Sequence, residues 1–299
     1  MDELSYLNQL LCENWFTGLW EKNKNDLRKK NLEKYHKLET YAEEFKKEKE
    51  EKRKTDKETI QKLKDNSVVD KYKETFSKKK ITIDKLTMER ILDFSYDMVN
   101  KCKNQRSGGT MLREDNDIIY SQIQGKIPEE IVHKVATANG LDLKPVDLDV
   151  WSRGKWDNGD LVTVDDSLNI NVKSGLYFTH LLLLTKNDYN LDGSYKHHNC
   201  ETEKSQRQIF SYVRLYLDRD NILKNLKGMN KSEFIDWFLE KYETITYDIH
   251  FCNESLVKKA IINGNVISKG VLLNNKISMD ADNYYLYLFN MNSNITEVI

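Results

Sequence analysis

The sequence has few of the features that mark secreted, zinc-ribbon or membrane proteins. Its four cysteines lie far apart, without the paired spacing of a disulfide framework or a zinc ribbon: Cys12, Cys102, Cys200 and Cys252. It has no long apolar run and its mean hydropathy is -0.71, which argues against a membrane span. The stretch MDELSYLNQLL lacks the basic region of a secretory signal. We therefore expect a cytoplasmic protein with no membrane partner.

The chain as a whole has almost no net charge, but its charged residues are unevenly distributed. The 299 residues carry a net charge of -1, which by itself indicates no class of partner. Residues 21–80 contain 21 lysines and arginines against 14 acidic residues, an excess of seven, so the remainder carries a net charge of -8. The sequence predicts a basic arm on a mildly acidic body, in a chain long enough for one large domain or two ordinary ones.

The basic arm has neither glycine nor proline and is rich in strong helix formers, which predicts a helix or a helical hairpin. A narrow apolar stripe recurs there at helical spacing: Tyr35, Leu38, Ala42 and Phe45. Two interpretations remain open. The arm is either a solvated helical element stabilised by ion pairs four residues apart, or a clamp that contacts a phosphate backbone without reading its sequence.

A second helix is predicted over residues 81–105, and the glycine-containing stretch NQRSGGT follows it. Its apolar face comprises Leu86, Ile91, Leu92, Phe94, Met98 and Val99. We place the domain boundary after this helix. The prediction is a charged helical region over residues 1–105 and a second domain over residues 106–299.

The second domain mixes helices and strands. A helix is predicted from Pro128 to Asn139, because proline suits the first helical turn and Asn139-Gly140 suits the C-terminal end. Two strands joined by a tight turn follow in GDLVTVD and LNINVKS, then a strand over residues 208–218 and an amphipathic helix in MNKSEFIDWFLEKY. Strands and hairpins are expected from residue 244 onward. This order predicts an α/β fold with a mixed sheet.

Three polar residues on the two adjoining strands form a candidate catalytic constellation. Side chains alternate along a strand, so Asn171 and Lys173 share one face. Asp160 begins the neighbouring strand, and Glu129 on the preceding helix is a further acid. Hydrolysis of a phosphodiester needs hard oxygen ligands for Mg²⁺ and a water made nucleophilic beside it. Carboxylates and an ammonium group within one small volume suit that chemistry.

These segments resemble the successive motifs of the PD-(D/E)xK nuclease superfamily. The stretches IQGKIPEEIVHKVA, GDLVTVD and LNINVKSG are similar, in order and in kind of element, to those of bacterial type II restriction endonucleases, over about residues 116–218. The resemblance implies a restriction-endonuclease-like mixed β-sheet core flanked by helices, with the N-terminal helical region outside it. It also implies Mg²⁺-dependent hydrolysis of double-stranded DNA in phage defence, with Mn²⁺ as a substitute metal, a homodimer and a companion DNA methyltransferase.

The resemblance gives each matching residue a role. Asp160 would bind the metal, and position 171 would be the second ligand when acidic. Lys173 would orient or polarise the attacking water, and Glu129 would support the metal through a water molecule. Basic residues are candidate contacts to DNA phosphates, because such contacts require lysine or arginine: Arg153, Lys155, Arg207 and Arg214.

Asn171 departs from the family pattern, which has an acid at this position. A carboxamide is neutral and binds a hard cation less well than a carboxylate does. Three accounts stay open: an engineered change that silences a toxic enzyme, a natural site whose second acid is Glu129 or Asp166, and a DNA-binding protein that has lost catalysis. Outside this family, the alternative is a scaffold protein built on the helical arm.

Overall fold

The computed structural model describes six stretches of the chain: residues 32–63, 77–102, 114–149, 160–196, 206–273 and 277–299. The chain divides into two compact units, Met1–Lys64 and Asp65–Ile299. None of the helices in these stretches combines the length and the apolar character needed to cross a membrane.

The first unit contains one long helix, α1 (Leu32–Leu63). The side chains described in it are exposed or half-buried, as expected for a solvated helix. The predicted helix is confirmed over this range, while the role of a phosphate clamp stays a prediction. The side chains of Tyr35, Leu38, Ala42 and Phe45, the predicted apolar stripe, lie outside those described.

The second unit is built from strands and helices in mixed order. Its described strands are β1 (Lys79–Thr82), β2 (Leu161–Val162), β3 (Leu168–Leu176), β4 (Leu181–Thr185), β5 (Arg207–Leu215), β6 (Thr244–Asn253), β7 (Val266–Ile267), β8 (Leu272–Leu273), β9 (Ile277–Ser278) and β10 (Asn283–Tyr287). Its described helices are α2 (Lys85–Cys102), α3 (Asp115–Ala138), α4 (Arg219–Gly228), α5 (Lys231–Lys241) and α6 (Glu254–Ile262).

Five of these strands form the central sheet, in the order β1-β6-β5-β3-β2. Strands β3 and β5 are parallel, and the other neighbours are antiparallel. Helices α2 to α5 cover one face and share a core with Ile170, Val172 and Val213. The opposite face carries Phe210 and Tyr212, which pack against α6 and the second sheet, β4-β10-β7. The prediction of a mixed α/β sheet flanked by helices is therefore confirmed.

Several local predictions are also confirmed. Strands β2 and β3 form the expected hairpin around a tight turn, in which Asp166 has a φ of 59°. Helix α5 begins with a capping box, because Asn230 Oδ1 accepts from the Glu233 N–H and Glu233 Oε2 accepts from the Asn230 N–H. Phe234 and Phe238 on this helix are fully buried.

The prediction of a helix start at Pro128 is wrong. Helix α3 begins at Asp115, so Pro128 lies inside it. An internal proline removes one backbone hydrogen bond and normally ends or kinks a helix. The helix continues here because residues on both sides of the proline are fully buried, including Ile123, Ile127 and Ile131, and packing rather than propensity provides most helical stability.

The expectation of strands throughout the C-terminal part is wrong for residues 254–262, which form α6. The Asn253 side chain accepts from the Leu256 N–H at the start of this helix. Val257, Ala260 and Ile261 are buried at intervals of three and one, which places them on one helical face.

The predicted boundary at residue 105 and the structural division at residue 64 differ. Residues 79–82 form β1, which pairs with β6, and α2 packs against α3. Both elements therefore belong to the second unit. The prediction that Leu86 lies on the buried face of α2 is wrong, because Leu86 is 68% exposed, while Ile91 and Leu92 are fully buried as predicted.

Candidate functional site

The strand register brings Asp160 beside Asn171. Leu161 pairs with Ile170 and Val162 with Asn169, so the next position of this antiparallel ladder sets Asp160 opposite Asn171. Directly paired residues of antiparallel strands have their side chains on the same face. Asp160 Oδ2 also accepts a hydrogen bond of 2.6 Å from the backbone N–H of Val172. The carboxylate is thus held against the strand that carries Asn171 and Lys173.

The turn between β2 and β3 fixes this register. The Asp165 carboxylate accepts from the Ser167 N–H at 3.1 Å and from the Ser167 hydroxyl at 2.7 Å. Hydrogen bonds from Thr163 and Ser167 lower the pKa of Asp165 to about 2. Asp166, considered above as a second acid for the site, lies in this turn and pairs with Lys144 at 2.6 Å. It is therefore at the other end of β2 from Asp160.

The Asn171 amide is built into the sheet. Its Nδ2 donates to Oε1 of Gln208 on β5 at 2.6 Å. The Gln208 side chain is buried, and Asn171 itself is half-buried. With Nδ2 engaged in this way, Asn171 Oδ1 is the atom of this amide that can act as a ligand or acceptor.

Lys173 lies two residues beyond Asn171 on the same face, and its side chain is exposed. In the parallel ladder it stands opposite Tyr212, whose hydroxyl donates to Thr179 Oγ1 at 3.1 Å. Lys173 follows Val172 directly in the chain, and the Val172 N–H is the group that the Asp160 carboxylate contacts.

Glu129 is held in the helical layer. Its carboxylate pairs with the Lys126 ammonium at 2.7 Å, and that ammonium lies 5.5 Å from the ring centroid of Phe94 on α2. Helix α3 covers the face of the sheet that carries Val172, whereas Asn171 and Lys173 are on the other face. The strand register thus places Asp160, Asn171 and Lys173 on one face of the sheet, and Glu129 lies in the helical layer on the other face.

The four candidate phosphate contacts differ in how the structure places them. Arg207 is exposed at the start of β5. Arg214 is only 1% exposed, and its Nε donates to Asp248 Oδ2 at 2.8 Å. A guanidinium buried in this way does not lie where a phosphate backbone could reach it. Arg153 and Lys155 lie outside the described residues.

The Arg214 cluster is a buried charged group that the sequence did not indicate. Asp248 Oδ2 also contacts His250 Nε2 at 2.8 Å, and all three residues are nearly fully buried. Burial alone would raise the pKa of Asp248, but the hydrogen bond and charge of His250, together with Arg214, outweigh it and lower the pKa. The alternation of Asp248 and His250 along TITYDIHF was a signal that could have placed them on one face.

The donor set at Asp160 suits a hard cation that keeps most of its water ligands. It offers the Asp160 carboxylate and the Asn171 carboxamide oxygen, which are the kinds of ligand that Mg²⁺ accepts. Within the described residues, no group of three or more histidine, cysteine or acidic side chains could hold a metal ion. Asp160 and Asn171 thus provide at most two protein oxygens, of the kinds that Mg²⁺ accepts, which is too few for a site built from protein ligands alone.

A buried phenol lies near this carboxylate. Burial, followed by the charges of neighbours that include Asp160, raises the pKa of Tyr189. Tyr189 packs at 5.9 Å from the Phe210 ring, on the same face of the sheet. Tyr189 therefore stays protonated and uncharged at neutral pH.

Comparisons of the chain with family models, curated proteins and solved structures find no significant match.

Proposed function

We propose that the chain is a metal-dependent endonuclease that hydrolyses phosphodiester bonds of double-stranded DNA, with the sheet arrangement of the PD-(D/E)xK nucleases. The observation that carries the proposal is the position of Asp160. Its carboxylate contacts the backbone N–H of Val172, which lies between Asn171 and Lys173. This agrees with the nuclease motif, in which an acid from one strand lies beside an acid-x-Lys triplet on the neighbouring strand. The proposal includes the type II restriction class, a homodimer, a companion methyltransferase and a cytoplasmic location.

Each residue has a chemical task in this proposal. The Val172 N–H holds the Asp160 carboxylate in place, and Asp160 and Asn171 Oδ1 would be the protein's oxygen ligands to a metal ion. A bound Mg²⁺ would supply positive charge beside the phosphate. The exposed Lys173 ammonium would orient the attacking water by hydrogen bonding and stabilise the negative charge that develops on the phosphate.

A direct test is the Asn171→Asp variant. A carboxylate at this position adds a charged ligand, so cleavage of phage or plasmid DNA with Mg²⁺ should rise above that of the parent chain. Adding Lys173→Ala to that variant should abolish cleavage. The matched control is Lys186→Ala, which removes another exposed lysine of the same unit and should leave cleavage unchanged. An Asn171→Asp protein that cuts no DNA from a broad set with Mg²⁺ or Mn²⁺ would contradict the proposal.

A DNA-binding protein without catalysis is the second candidate. It is favoured by the Asn171–Gln208 hydrogen bond, which gives the amide a structural role as it stands. Such a protein would bind duplex DNA with an affinity that falls as salt rises, and it would not cut the DNA with any divalent ion. Sequencing of DNA ends after incubation with the parent chain and with Asn171→Asp separates the two candidates.

A further inference from the structure

An aromatic corner is exposed where β3 and β5 end, formed by Tyr177, Phe178 and Tyr216. The rings of Tyr177 and Tyr216 stack with centroids 4.8 Å apart and an interplanar angle of 15°. Phe178 meets Tyr177 at 83°, with centroids 5.3 Å apart. Tyr177 is 47% exposed and Phe178 is 50% exposed. Two aromatic rings at right angles are therefore presented to solvent.

The backbone holds this corner in place. The Tyr177 N–H donates to the Leu215 carbonyl at 3.0 Å, and the Tyr216 N–H donates to the Thr246 carbonyl at 3.0 Å. Both tyrosines thus extend hydrogen-bonded strands of the central sheet. Little ordering is then needed when a planar ligand binds, which favours affinity.

Positive charge adjoins the corner. The Lys78 ammonium lies 5.4 Å from the centroid of the Tyr216 ring. Lys80 pairs with Thr246 in the β1–β6 ladder, and the Thr246 carbonyl is the one that the Tyr216 N–H contacts. Both lysine side chains are exposed. The surface therefore combines stacking area with two accessible cations.

This combination fits one class of ligand. Nucleobases stack on aromatic side chains and phosphates contact lysines, which together describe single-strand binding surfaces. A base within a duplex already stacks on its neighbours, so the corner suits an unpaired base. We propose that Tyr177 and Phe178 bind an unpaired base of a single-stranded nucleic acid, and that Lys78 and Lys80 contact its phosphates.

The corner is separate from the Asp160 site. Tyr177 is four residues beyond Lys173, which corresponds to about 13 Å along an extended strand. The two positions are on the same face of the sheet by alternation. Binding at the corner requires no cleavage, so this inference goes beyond the proposed nuclease activity and can be tested without it.

The test is equilibrium binding in EDTA, measured by fluorescence anisotropy of a labelled oligothymidylate of about 12 nucleotides and of a duplex of the same length. We expect the parent chain to prefer the single strand. The Tyr177→Ala/Phe178→Ala protein should lose at least about tenfold in affinity for the single strand, because each stacked base contributes that order of binding energy. Phe178→Trp should retain the affinity, since it keeps a stacking surface.

Two controls separate stacking from other effects. Leu191→Ala removes another exposed apolar side chain, 79% exposed, and should leave binding unchanged. Lys78→Ala should weaken binding and reduce its salt dependence, as loss of a phosphate contact does. Far-UV circular dichroism of each variant checks that it is folded.

Several results would overturn the inference. It fails if the parent chain binds no oligonucleotide, if it binds duplex and single strand equally, or if the double alanine variant binds as well as the parent. Self-association that is lost in the double variant, with nucleic-acid binding unchanged, would assign the corner to a protein partner instead. Because EDTA prevents metal-dependent cleavage, none of these results depends on whether the chain is a nuclease.

Discussion

The Asp160 carboxylate accepts a hydrogen bond of 2.6 Å from the backbone N–H of Val172. Val172 separates Asn171 from Lys173 in the sequence, so one bond connects the acid that directly precedes β2 to the strand that carries both other polar residues. A backbone N–H has no rotamers, and the strand fixes its direction. The bond can therefore orient the carboxylate before any ligand binds.

Substitutions of Asp160 should affect the free energy of unfolding and the cleavage of DNA differently. Asp160→Asn keeps an oxygen that can accept from the Val172 N–H, so its free energy of unfolding in urea should stay close to that of the parent. Asp160→Ala leaves this N–H without its acceptor and should lose about 1 kcal/mol. When either substitution is added to the Asn171→Asp protein, the DNA cleavage expected of that protein should be lost. An Asp160→Asn protein as unstable as Asp160→Ala would show that the hydrogen bond is not what stabilises this region.

Gly175 should tolerate no side chain. A Cβ at this position would collide with the Tyr212 hydroxyl and the Thr179 hydroxyl. Gly175→Ala should therefore lower the free energy of unfolding by about 1–3 kcal/mol, as overpacking does. Gly125→Ala is the matched control, because no atom of the described residues lies within 4 Å of a Cβ there, and it should raise helix stability by up to about 1 kcal/mol. Equal urea midpoints for the two variants would contradict this explanation.

Breaking the buried Arg214–Asp248 pair should lower the free energy of unfolding far more than breaking an exposed pair does. Both side chains are 1% exposed, so Asp248→Asn leaves a buried guanidinium without its counter-charge and should cost about 3–5 kcal/mol. Asp166→Asn breaks the Lys144 pair, whose side chains are 47% and 44% exposed, and should cost less than about 1 kcal/mol. Denaturation of the two variants in urea compares them directly, and similar losses would refute the distinction.

His180 should make stability fall in mild acid. Burial, with a smaller effect of the Arg214 charge, lowers the pKa of His180 from 6.5 to about 4. The unfolded chain therefore takes up a proton near pH 6.5 that the folded chain takes up only near pH 4, and stability decreases as the pH falls through that window. The free energy of unfolding, measured in urea at several pH values, should fall less steeply for His180→Asn. An unchanged slope would assign the loss to other groups.

Removal of the first unit should leave the second folded. A chain of residues 65–299 keeps β1 and its pairing with β6, whereas removal of residues 1–80 would cut into β1. We expect the shorter chain to unfold in one cooperative transition and to keep the divalent-ion dependence of the full chain. If the N-terminal arm is a phosphate clamp, the shorter chain should bind duplex DNA with lower affinity than the full chain does. A shorter chain without cooperative unfolding would mean that the two units depend on each other.

Local patterns predicted the elements that depend on near neighbours in sequence. The β2–β3 hairpin and its polar face follow from alternation and a tight turn, and α5 follows from its apolar spacing. The Asn171–Gln208 hydrogen bond spans 37 residues and the Arg214–Asp248 pair spans 34. Such contacts depend on which strands become neighbours, and no short window of sequence contains that information. Pro128 is a further example, because its local preference for the first turn of a helix is overridden by burial of the helix in the core.

Parallel neighbours such as β3 and β5 need a long crossover connection, and here that connection includes β4. The second sheet, to which β4 belongs, packs on the face that carries Asn171 and Lys173. This second sheet thus includes a segment that is separate in sequence from the β2–β3 hairpin. If the chain has the proposed nuclease activity, insertions or deletions in the crossover would change its choice of substrate while the hairpin keeps its geometry, so that selectivity and chemistry evolve independently.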